Sequence, residues 1–441
     1  MAHSFFATTL LAIACLSRAT GASPAVFTRQ ANKAYEVWAL DQSDSRDPAN
    51  PGRQFGYGGY LHIINPANQK GSTDFSTSQI IDLSQETAAL CFASTGANPV
   101  RPHMIDFSND GRIGALAFVA SGHVVHFDAA TRKPVSCLRT SVGANGARQA
   151  HMASISDDNY TLVANQNGKR IERIRHDFAK GTYAWDGIVD LANCRTPSGA
   201  PCQDPTIRPD NAPICLMNPK KNSNAFITLR GGGMFVVDYK TMQIIAEYDR
   251  TVVAANGCGA LEVGEDWVMI DSGGAAANGT FGYHVYRFPA TGYSSRNGVN
   301  SPLPLTLQST RDTSEKDPHS AIALKNRYVW VFDRAANTIQ SFDFKQGKAL
   351  GSIPLVTSLA ADPTPDIADI TPDEQTIFVT FRGAFPLSGD PHFSQGSTPA
   401  VGVIDIGNKD SGTLIQVLPM ENIVGGVNRA DPHGLKVRPL F

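Results

Sequence analysis

The feature that most constrains the fold is a stretch that repeats along the chain and is first visible between Arg101 and Asp128. In this stretch, three short apolar runs are separated by the turn-like segments Asn109-Asp110-Gly111 and Ser121-Gly122. Asn or Asp followed by Gly between apolar runs is a strong hairpin signal, because these residues accept positive φ angles. The stretch therefore predicts three consecutive antiparallel strands.

Related stretches follow, and each opens with a polar residue or a cysteine at one shared position, which we call the register. The seven register residues are His103, His151, Cys215, Cys258, His319, Asp366 and His433. Subtracting successive numbers gives spacings between 43 and 67 residues. A period near 45 with variable insertions is typical of four-stranded propeller blades. The register therefore predicts an all-β, seven-bladed β-propeller.

The last repeat contains a single strand, which begins at His433. Three strand-like runs near the N-terminus, at 35–40, 59–64 and 78–83, have no register residue before them. We expect these runs to complete the blade that the C-terminal strand begins, because this pairing closes the ring and removes a free sheet edge. Residues 23–441 are accordingly predicted to form one propeller domain.

Residues 1–22 are interpreted as a secretory signal peptide, because a short apolar run precedes the small residues Thr20-Gly21-Ala22. This run is too short to cross a membrane. Six cysteines follow it, and an even number in a secreted chain favours disulfides. Position in the repeat predicts three pairs: Cys91 with Cys137, Cys194 with Cys202, and Cys215 with Cys258.

Charge and short motifs bear on the expected partners. The chain has 38 basic and 40 acidic residues and lacks a basic stripe, so a nucleic-acid partner is not expected. A membrane partner is not expected either, because no other stretch reaches membrane length. Asn159 and Asn278 begin Asn-x-Thr sequons and are predicted glycosylation sites. A small organic molecule is the expected partner.

The binding face can be predicted from loop lengths. In a propeller, the loops that enter the innermost strands share one face with the loops between second and third strands. The longest insertions are predicted in such loops, at Asp41–Tyr57, Leu191–Pro213, Gly273–Tyr283, Gly292–Asp317 and Ala384–Pro399. Because long loops on one rim of a rigid scaffold commonly carry binding residues, we expect the site at this face.

Histidine and arginine residues are concentrated at the same face. Four register histidines and Asp366 form one contiguous arc through the ring closure, and two arginines follow predicted second strands. The candidate catalytic residues are His103, His151, Arg230, His319, Asp366, Arg382 and His433. The candidate substrate-binding residues are Arg148, Trp185, Met217, Phe281, Phe385 and Phe393. A structural interpretation stays open, in which these polar residues bond backbone groups or pair with acids of neighbouring blades.

Three classes of function are compatible with this pattern. In a metal enzyme, the four register histidines would be the ligands and Asp369 or Asp431 would support them; the sequence lacks His-x-His and His-Glu-x-x-His pairs. In a cofactor-free enzyme, the histidines and arginines would polarise or protonate a substrate oxygen, as in lactonase, cyclase or isomerase chemistry. In a binding propeller, the rim would recognise a glycan or a protein.

Two resemblances add to this interpretation. The segments DFSNDGRIGALAFVA and ITPDEQTIFVTF resemble YVTN-type and lactonase-like seven-bladed propellers. The combination of signal peptide, sequons, six cysteines and a single propeller without a cofactor motif resembles, more narrowly, the fungal hetero-Diels–Alderases of tropolone–sesquiterpenoid biosynthesis. That resemblance implies a secreted, cofactor-free cyclase that joins a tropolone-derived o-quinone methide to a humulene-type sesquiterpene by [4+2] cyclisation. It assigns no residue roles.

Overall fold

A computed structural model describes residues 34–45, 58–65, 75–156, 159–386 and 395–440. The predicted signal peptide and Phe393 lie outside the described residues. In the described part, strands form seven four-stranded antiparallel sheets and one short hairpin. The first strands of six blades and the C-terminal strand contact their neighbours in a closed series around the ring. The predicted seven-bladed all-β propeller is confirmed.

The N-terminal region supplies three strands and two short helices. The strands are β1 Tyr35–Asp41, β2 Tyr60–Ile64 and β3 Thr77–Asp82. The helices are α1 Leu83–Glu86 and α2 Ala88–Thr95. Asp82 caps α1 by accepting a hydrogen bond from the Ser84 backbone N–H, and α2 ends at Gly96, which adopts a left-handed φ of 69°.

Six complete blades follow in chain order. Blade 1 contains β4 Pro102–Phe107, β5 Ile113–Phe118, β6 His123–Asp128 and β7 Lys133–Arg139. After a 3₁₀ turn at Ala144–Gly146, blade 2 contains β8 Ala150–Ser156, β9 Tyr160–Asn165, β10 Arg170–Asp177 and β11 Thr182–Asp190. Blade 3 contains β12 Pro213–Met217, β13 Asn224–Leu229, β14 Met234–Asp238 and β15 Gln243–Tyr248.

The second half of the ring repeats this plan. Blade 4 contains β16 Ala260–Val263, β17 Trp267–Ala275, β18 Phe281–Pro289 and β19 Leu305–Asp312. Blade 5 contains β20 Pro318–Leu324, β21 Tyr328–Asp333, β22 Thr338–Asp343 and β23 Lys348–Pro354. Blade 6 contains β24 Pro365–Ile370, β25 Thr376–Phe381, β26 Ala400–Asn408 and β27 Ser411–Pro419. The hairpin β28 Ile423–Val424 and β29 Val427–Asn428 then leads to β30 Pro432–Pro439.

Blade 7 is built from both ends of the chain, in the order β30, β1, β2, β3 from the ring centre outward. β1 and β30 pair antiparallel, with Trp38 opposite Lys436 and Ala39 opposite Leu435. The predicted closure by the N-terminal and C-terminal strands is confirmed. It gives the strands nearest to the two chain ends each other as partners.

The core lies between neighbouring blades. Side chains alternate between the two faces of a strand, so Val37 packs against Phe378 of blade 6, whereas Trp38 packs against Phe107 of blade 1. Both faces of each middle strand are covered, which explains why these strands read as continuous apolar runs rather than alternating ones. Burial of each large side chain contributes about 1.5–3 kcal/mol.

Two of the predicted long loops differ from expectation. Gly292–Asp317 is interrupted by β19, and its first part packs against the side of blade 3, where Asn300 bonds the backbone of Glu247 and Asp249. Gly273–Tyr283 is mostly strand, because β17 extends to Ala275 and β18 begins at Phe281. The prediction of a loop at Gly292–Asp317 failed because a strand rich in Thr, Ser and Gln, such as β19, is hard to distinguish from a loop by composition.

Candidate functional site

The register places its seven residues at the same end of the innermost strands, which we call the upper end. A β-bulge lies beside several of them, including the intervals Pro102–Met104, Ala150–Met152 and Pro318–Ser320. A bulge changes the direction of a side chain, so that successive side chains no longer alternate regularly between the two faces of the strand. As a result, successive residues such as His103 and Met104 can both lie near the axis of the ring.

Three histidines converge through the same ring atom. The Nε2 atom of His103 lies 3.1 Å from Nε2 of His433 and 3.3 Å from Nε2 of His151. The ring centroid of His103 is 3.9 Å from that of His433 and 4.5 Å from that of His151. We call His103, His151 and His433 the histidine triad. His103 and His433 are almost fully buried.

The Nδ1 atoms of His103 and His433 are hydrogen-bonded to groups that determine which ring nitrogen carries the proton. Asp431, a carboxylate, can only accept, so the Gln42 amide nitrogen donates to it at 2.9 Å. The Gln42 Oε1 atom therefore faces Nδ1 of His103 at 2.9 Å and accepts its proton. In the same way, Asp366 accepts from Nδ1 of His433 at 2.6 Å. Both rings, when neutral, then present an Nε2 lone pair to the other.

Asp366 is the centre of a buried charge network. Arg382 donates to it at 2.9 Å and Arg334 donates to it at 3.2 Å. Burial by itself would raise the pKa of Asp366, but the neighbouring His433, Arg334, His319 and Arg382 outweigh burial and hold this pKa well below its usual value. Asp366 is thus an ionised carboxylate inside the protein.

Two further carboxylates complete the network. Arg382 binds Asp431 through two hydrogen bonds of 2.6 and 2.7 Å, and Arg334 binds Asp317 at 2.9 Å. The pKa of Arg382 is raised, because these carboxylates outweigh the effect of burial. Three carboxylates face two guanidinium groups beside the triad, so the surroundings favour a further positive charge.

His319 lies on the other side of Asp366. Its Nε2 atom is 3.2 Å from Asp366 Oδ1, while Asp366 Oδ2 bonds His433. The ligand-type atoms of His319, Asp366 and His433 lie within 4.8 Å of one another. His319 is only partly buried, because it lines a central channel. It is therefore the register histidine best placed to exchange a proton with a molecule in that channel.

The channel runs between the innermost strands and has a volume of about 580 Å³. Its wall includes Met104, Met152 and Met217 near the register and Asn109 and Lys220 near the lower ends of the strands. It thus extends from the register toward the short turns of the lower face.

Above the register, the segment Asp41–Ser45 is buried. It is tied down by bonds from Gln42 N to Asp431 O and from Ser43 Oγ to Arg429 O. The register residues do lie at the face that sequence analysis favoured. The described cavity reaches them from the opposite side.

The sequence analysis missed Gln42 and Arg334. Both occupy the position directly after the second strand of a blade, as Arg230 and Arg382 also do. This shared position was a signal that could have found Arg334, because it was already the reason for selecting the other two arginines. Gln42 carried no comparable signal, since its blade is split between the chain ends.

The other predicted polar residues lie apart from the network. Arg230 is exposed and pairs with Asp210 at 2.6 Å, as in the structural alternative considered for it. Arg148 donates to the Thr140 backbone carbonyl at 3.0 Å. Asp369, a predicted support for a metal ligand, instead lies 3.3 Å from Lys436.

The predicted substrate-binding residues are spread over several blades. Met217 lines the channel. Trp185 lies in the outermost strand of blade 2 and packs between blades 1 and 2. Phe281 begins β18, and Phe385 is exposed after β25. Among the members of this set that the structure describes, only Met217 lines the central channel.

The three predicted disulfides, Cys91–Cys137, Cys194–Cys202 and Cys215–Cys258, are confirmed. The sequon residues Asn159 and Asn278 are both exposed, and Asn159 has a positive φ of 66° in a turn between strands. Glycosylation of either residue stays a prediction. No helix among the described residues has the length and apolar character needed to span a membrane.

Two of the three Nε2–Nε2 separations in the triad, both involving His103, are compatible with a shared transition-metal ion. In a tetrahedral site with metal–nitrogen bonds near 2.0–2.1 Å, ligand nitrogens lie about 3.3–3.4 Å apart. The two Nε2–Nε2 distances of 3.1 and 3.3 Å are close to this value. In metal sites, a histidine ligand usually donates its other ring N–H to a carboxylate or a carbonyl oxygen, as His433 does to Asp366 and His103 does to Gln42. The donor set suits zinc, copper or iron.

Comparison with known proteins supports the fold. No protein-family model matches the chain, and no curated protein matches it. A hypothetical selenium-binding protein from Sulfolobus tokodaii has a TM-score of 0.61 at 7% identity, covering 92% of this chain and 94% of that one. A protein from Lactobacillus plantarum has a TM-score of 0.54 at 10% identity, covering 91% and 99%. These likenesses identify the chain as a β-propeller and leave its activity open.

Proposed function

We propose that this protein is a metal-dependent enzyme in which His103, His151 and His433 bind a transition-metal ion through Nε2. The observation that carries the proposal is the approach of three Nε2 atoms within 3.1 and 3.3 Å. In the neutral form of His103 and His433, in which Nδ1 carries the proton, the two Nε2 lone pairs face each other at 3.1 Å. A cation between them turns this repulsion into attraction.

The arrangement fits hydrolysis of a small ester or lactone. A metal with three protein ligands keeps an open position, where it lowers the pKa of water and polarises a carbonyl oxygen. Met104 and Met152, which follow two of the ligands, line the channel, so a substrate would reach this position from the lower face. His319, oriented by Asp366, would take and return the proton. The partner is thus a small organic molecule.

Elemental analysis of the purified, secreted protein tests the proposal. We expect about one equivalent of metal per chain after incubation with zinc, copper or iron salts and desalting, and at least a tenfold loss in His103→Ala and His151→Ala. His123→Asn, which alters a histidine outside the cluster, is the matched control and keeps its metal. Metal content near zero in the native protein, or unchanged in both variants, contradicts the proposal.

The identity of the metal then separates two reaction classes. Zinc supports hydrolysis, and chelation should abolish turnover of a lactone or aryl ester panel. Stoichiometric copper or iron with no hydrolysis would overturn the hydrolase assignment in favour of redox chemistry at the same triad.

The cofactor-free [4+2] cyclisation implied by the resemblance is the second candidate. What supports it is the volume of the channel, about 580 Å³, and the methionine and aliphatic side chains that form part of its wall beside polar ones. In this case a histidine would donate a hydrogen bond to the tropolone oxygens. Incubation of chelator-treated protein with a tropolone quinone-methide precursor and humulene tests it. A single stereoisomer, lost in His151→Ala, is the expected result, and a product mixture identical to the enzyme-free reaction rejects it.

A further inference from the structure

The channel wall contains a disulfide. Cys215 lies in β12, and Cys258 precedes β16 by two residues. Both occupy register positions, between those of His151 and His319, and both line the channel. Cys215 is 1% exposed and Cys258 is 9% exposed. The bond between them therefore forms part of the inner surface of the ring, with Cys258 as the more accessible sulfur.

The backbone around these cysteines is held by other bonds. The Thr228 hydroxyl group donates to the Gly257 carbonyl at 2.6 Å and accepts from the Cys215 backbone N–H at 3.3 Å. Asp271 accepts from the Gly259 backbone N–H at 2.7 Å, and the Asp271 N–H donates back to the Gly259 carbonyl at 2.9 Å. The Thr228–Gly257 bond thus links the two blades beside the disulfide, and the other bonds hold each inner segment to the second strand of its own blade.

The other two disulfides have different surroundings. Cys91–Cys137 ties α2 to β7, with Cys91 fully buried. Cys194–Cys202 closes a short loop with a sequence separation of 8 residues. Neither pair lines the described channel. A thiol that enters the channel would thus meet only the register pair.

We propose that Cys215–Cys258 is a redox-active disulfide that exchanges with low-molecular-weight thiols entering through the channel. The inference is independent of metal binding, since it depends on the channel wall and on the contacts of Thr228 and Asp271. It assigns the lower face of the ring as the entrance for a thiol compound, and it gives the two register positions without a polar side chain a chemical role.

The exchange is balanced without any further oxidant. A thiolate attacks Sγ of Cys258, the bond to Cys215 breaks, and its electron pair leaves with Sγ of Cys215, which takes a proton. A second thiolate attacks the mixed disulfide and releases the oxidised small disulfide and a Cys258 thiolate, which is protonated. Two thiols are oxidised and one protein disulfide is reduced. Burial raises the pKa of Asp271 to about 7, so this carboxyl beside Cys258 can hold a proton near neutral pH.

Differential alkylation of the whole native protein tests the proposal. Chelator-treated protein is incubated with 2-mercaptoethanol, trapped with iodoacetamide and mapped by mass spectrometry, while near-ultraviolet circular dichroism follows the fold. We expect Cys215 and Cys258 to be labelled at least tenfold faster than Cys91 and Cys137, with the fold retained. A thiol bound to a large polymer cannot enter the channel, so it should not reduce this disulfide and iodoacetamide should then leave Cys215 and Cys258 unlabelled.

Variants of the channel make the test specific. Ala321 lines the channel, and Ala321→Met should slow labelling of the register pair several-fold. Ala184→Met, at an exposed position of β11, is the matched control and should leave the rate unchanged. Labelling no faster than that of Cys91–Cys137, labelling only together with loss of the folded signal, or equal labelling by the polymer-bound thiol would each overturn the proposal.

Discussion

The innermost ring has two arcs that share one register but hold neighbouring blades together differently. In the polar arc, from His319 through Asp366 and His433 to His151, blades are linked by hydrogen bonds and ion pairs around Asp366. In the disulfide arc, Cys215 and Cys258 join blades 3 and 4 covalently. The same register position can thus join neighbouring blades through polar contacts or through a covalent bond. The proposed metal site lies in the polar arc, and the proposed thiol exchange lies in the disulfide arc.

In four blades, the residue after the second strand follows the same division. In blades 5, 6 and 7, where the register residue is polar, Arg334, Arg382 and Gln42 reach inward to the network. In blade 3, where it is a cysteine, Arg230 turns outward to Asp210 and solvent. A guanidinium group is buried only where carboxylates repay its loss of hydration. The two arcs therefore predict losses of very different size for the same substitution.

The largest expected effect comes from Arg382→Met compared with Arg230→Met. The first substitution leaves Asp366 and Asp431 buried without their main partner, and we expect a loss of about 3–5 kcal/mol in the free energy of unfolding. The second removes an exposed pair and should cost less than about 1 kcal/mol. Urea unfolding followed by circular dichroism measures both. Equal losses in the two variants would contradict the proposed difference between the arcs.

A smaller effect is expected from Gln42→Leu. This change removes the acceptor for the Nδ1 proton of His103 while keeping a side chain of similar volume. Loss of such a second-layer partner commonly lowers metal affinity 10–100-fold. Competition with a chromogenic chelator measures the affinity, and Thr228→Val, in the disulfide arc, is the control. Unchanged affinity in Gln42→Leu would show that His103 is not a ligand.

Acid should lower the stability of the protein through histidines outside the polar arc, such as His62 in β2. Burial lowers the pKa of His62 to about 4, and among the described residues neither of its ring nitrogens has a hydrogen-bond partner. Because the folded-state pKa is below the unfolded value, stability is fully present above about pH 6.5 and falls as the pH drops toward 4.

Between pH 7 and pH 5, His62 should cost about 2 kcal/mol of the free energy of unfolding. His62→Leu should reduce the pH dependence by that amount. Urea midpoints measured at several pH values test this expectation. A variant with the pH profile of the native protein would show that His62 does not titrate on unfolding.

The smallest effect is expected from Thr228→Val, which conserves shape but removes the hydroxyl group. One contact between blade 3 and the segment that leads into blade 4, and one contact within blade 3, are lost, and we expect about 1 kcal/mol of destabilisation with the disulfide intact. In reduced protein the loss should be larger, because Thr228 then holds the inner strands without the covalent link. Thermal unfolding with and without 2-mercaptoethanol compares the two states. Equal losses would mean that the hydroxyl does not substitute for the disulfide.

Much of the fold could be predicted from the sequence because it is encoded locally. Turn residues such as Asn109-Asp110-Gly111 define hairpins, and the repeat of hairpins defines blades. The Cys215–Cys258 pair followed from the register, since residues at one level of adjacent blades are close, Cys194–Cys202 followed from a shared loop, and Cys91–Cys137 was the pair that remained. β19 was missed, because a polar outer strand lacks the apolar pattern that identifies inner strands.

The site was predictable only in part. The register identified the four histidines and Asp366, and the second-strand position identified Arg382. The partnership of Gln42 with His103 joins residues 61 positions apart, and that of His433 with Asp366 joins residues 67 apart. Both pairs join neighbouring blades, whereas the contact of His103 with His433, 330 residues apart, depends on the closure of the ring, which brings the two chain ends together across blade 7.

By itself, the sequence determined that the chain forms seven blades, which ends close the ring and which cysteines pair, because these properties depend on periodicity and on position within a repeat. Only the tertiary structure decided which side chains meet. The bulges beside His103 and His151 re-aim those side chains by an amount that no alternation pattern encodes. The charge network then fixes their protons, because buried carboxylates accept hydrogen bonds only from groups that the ring geometry places within reach.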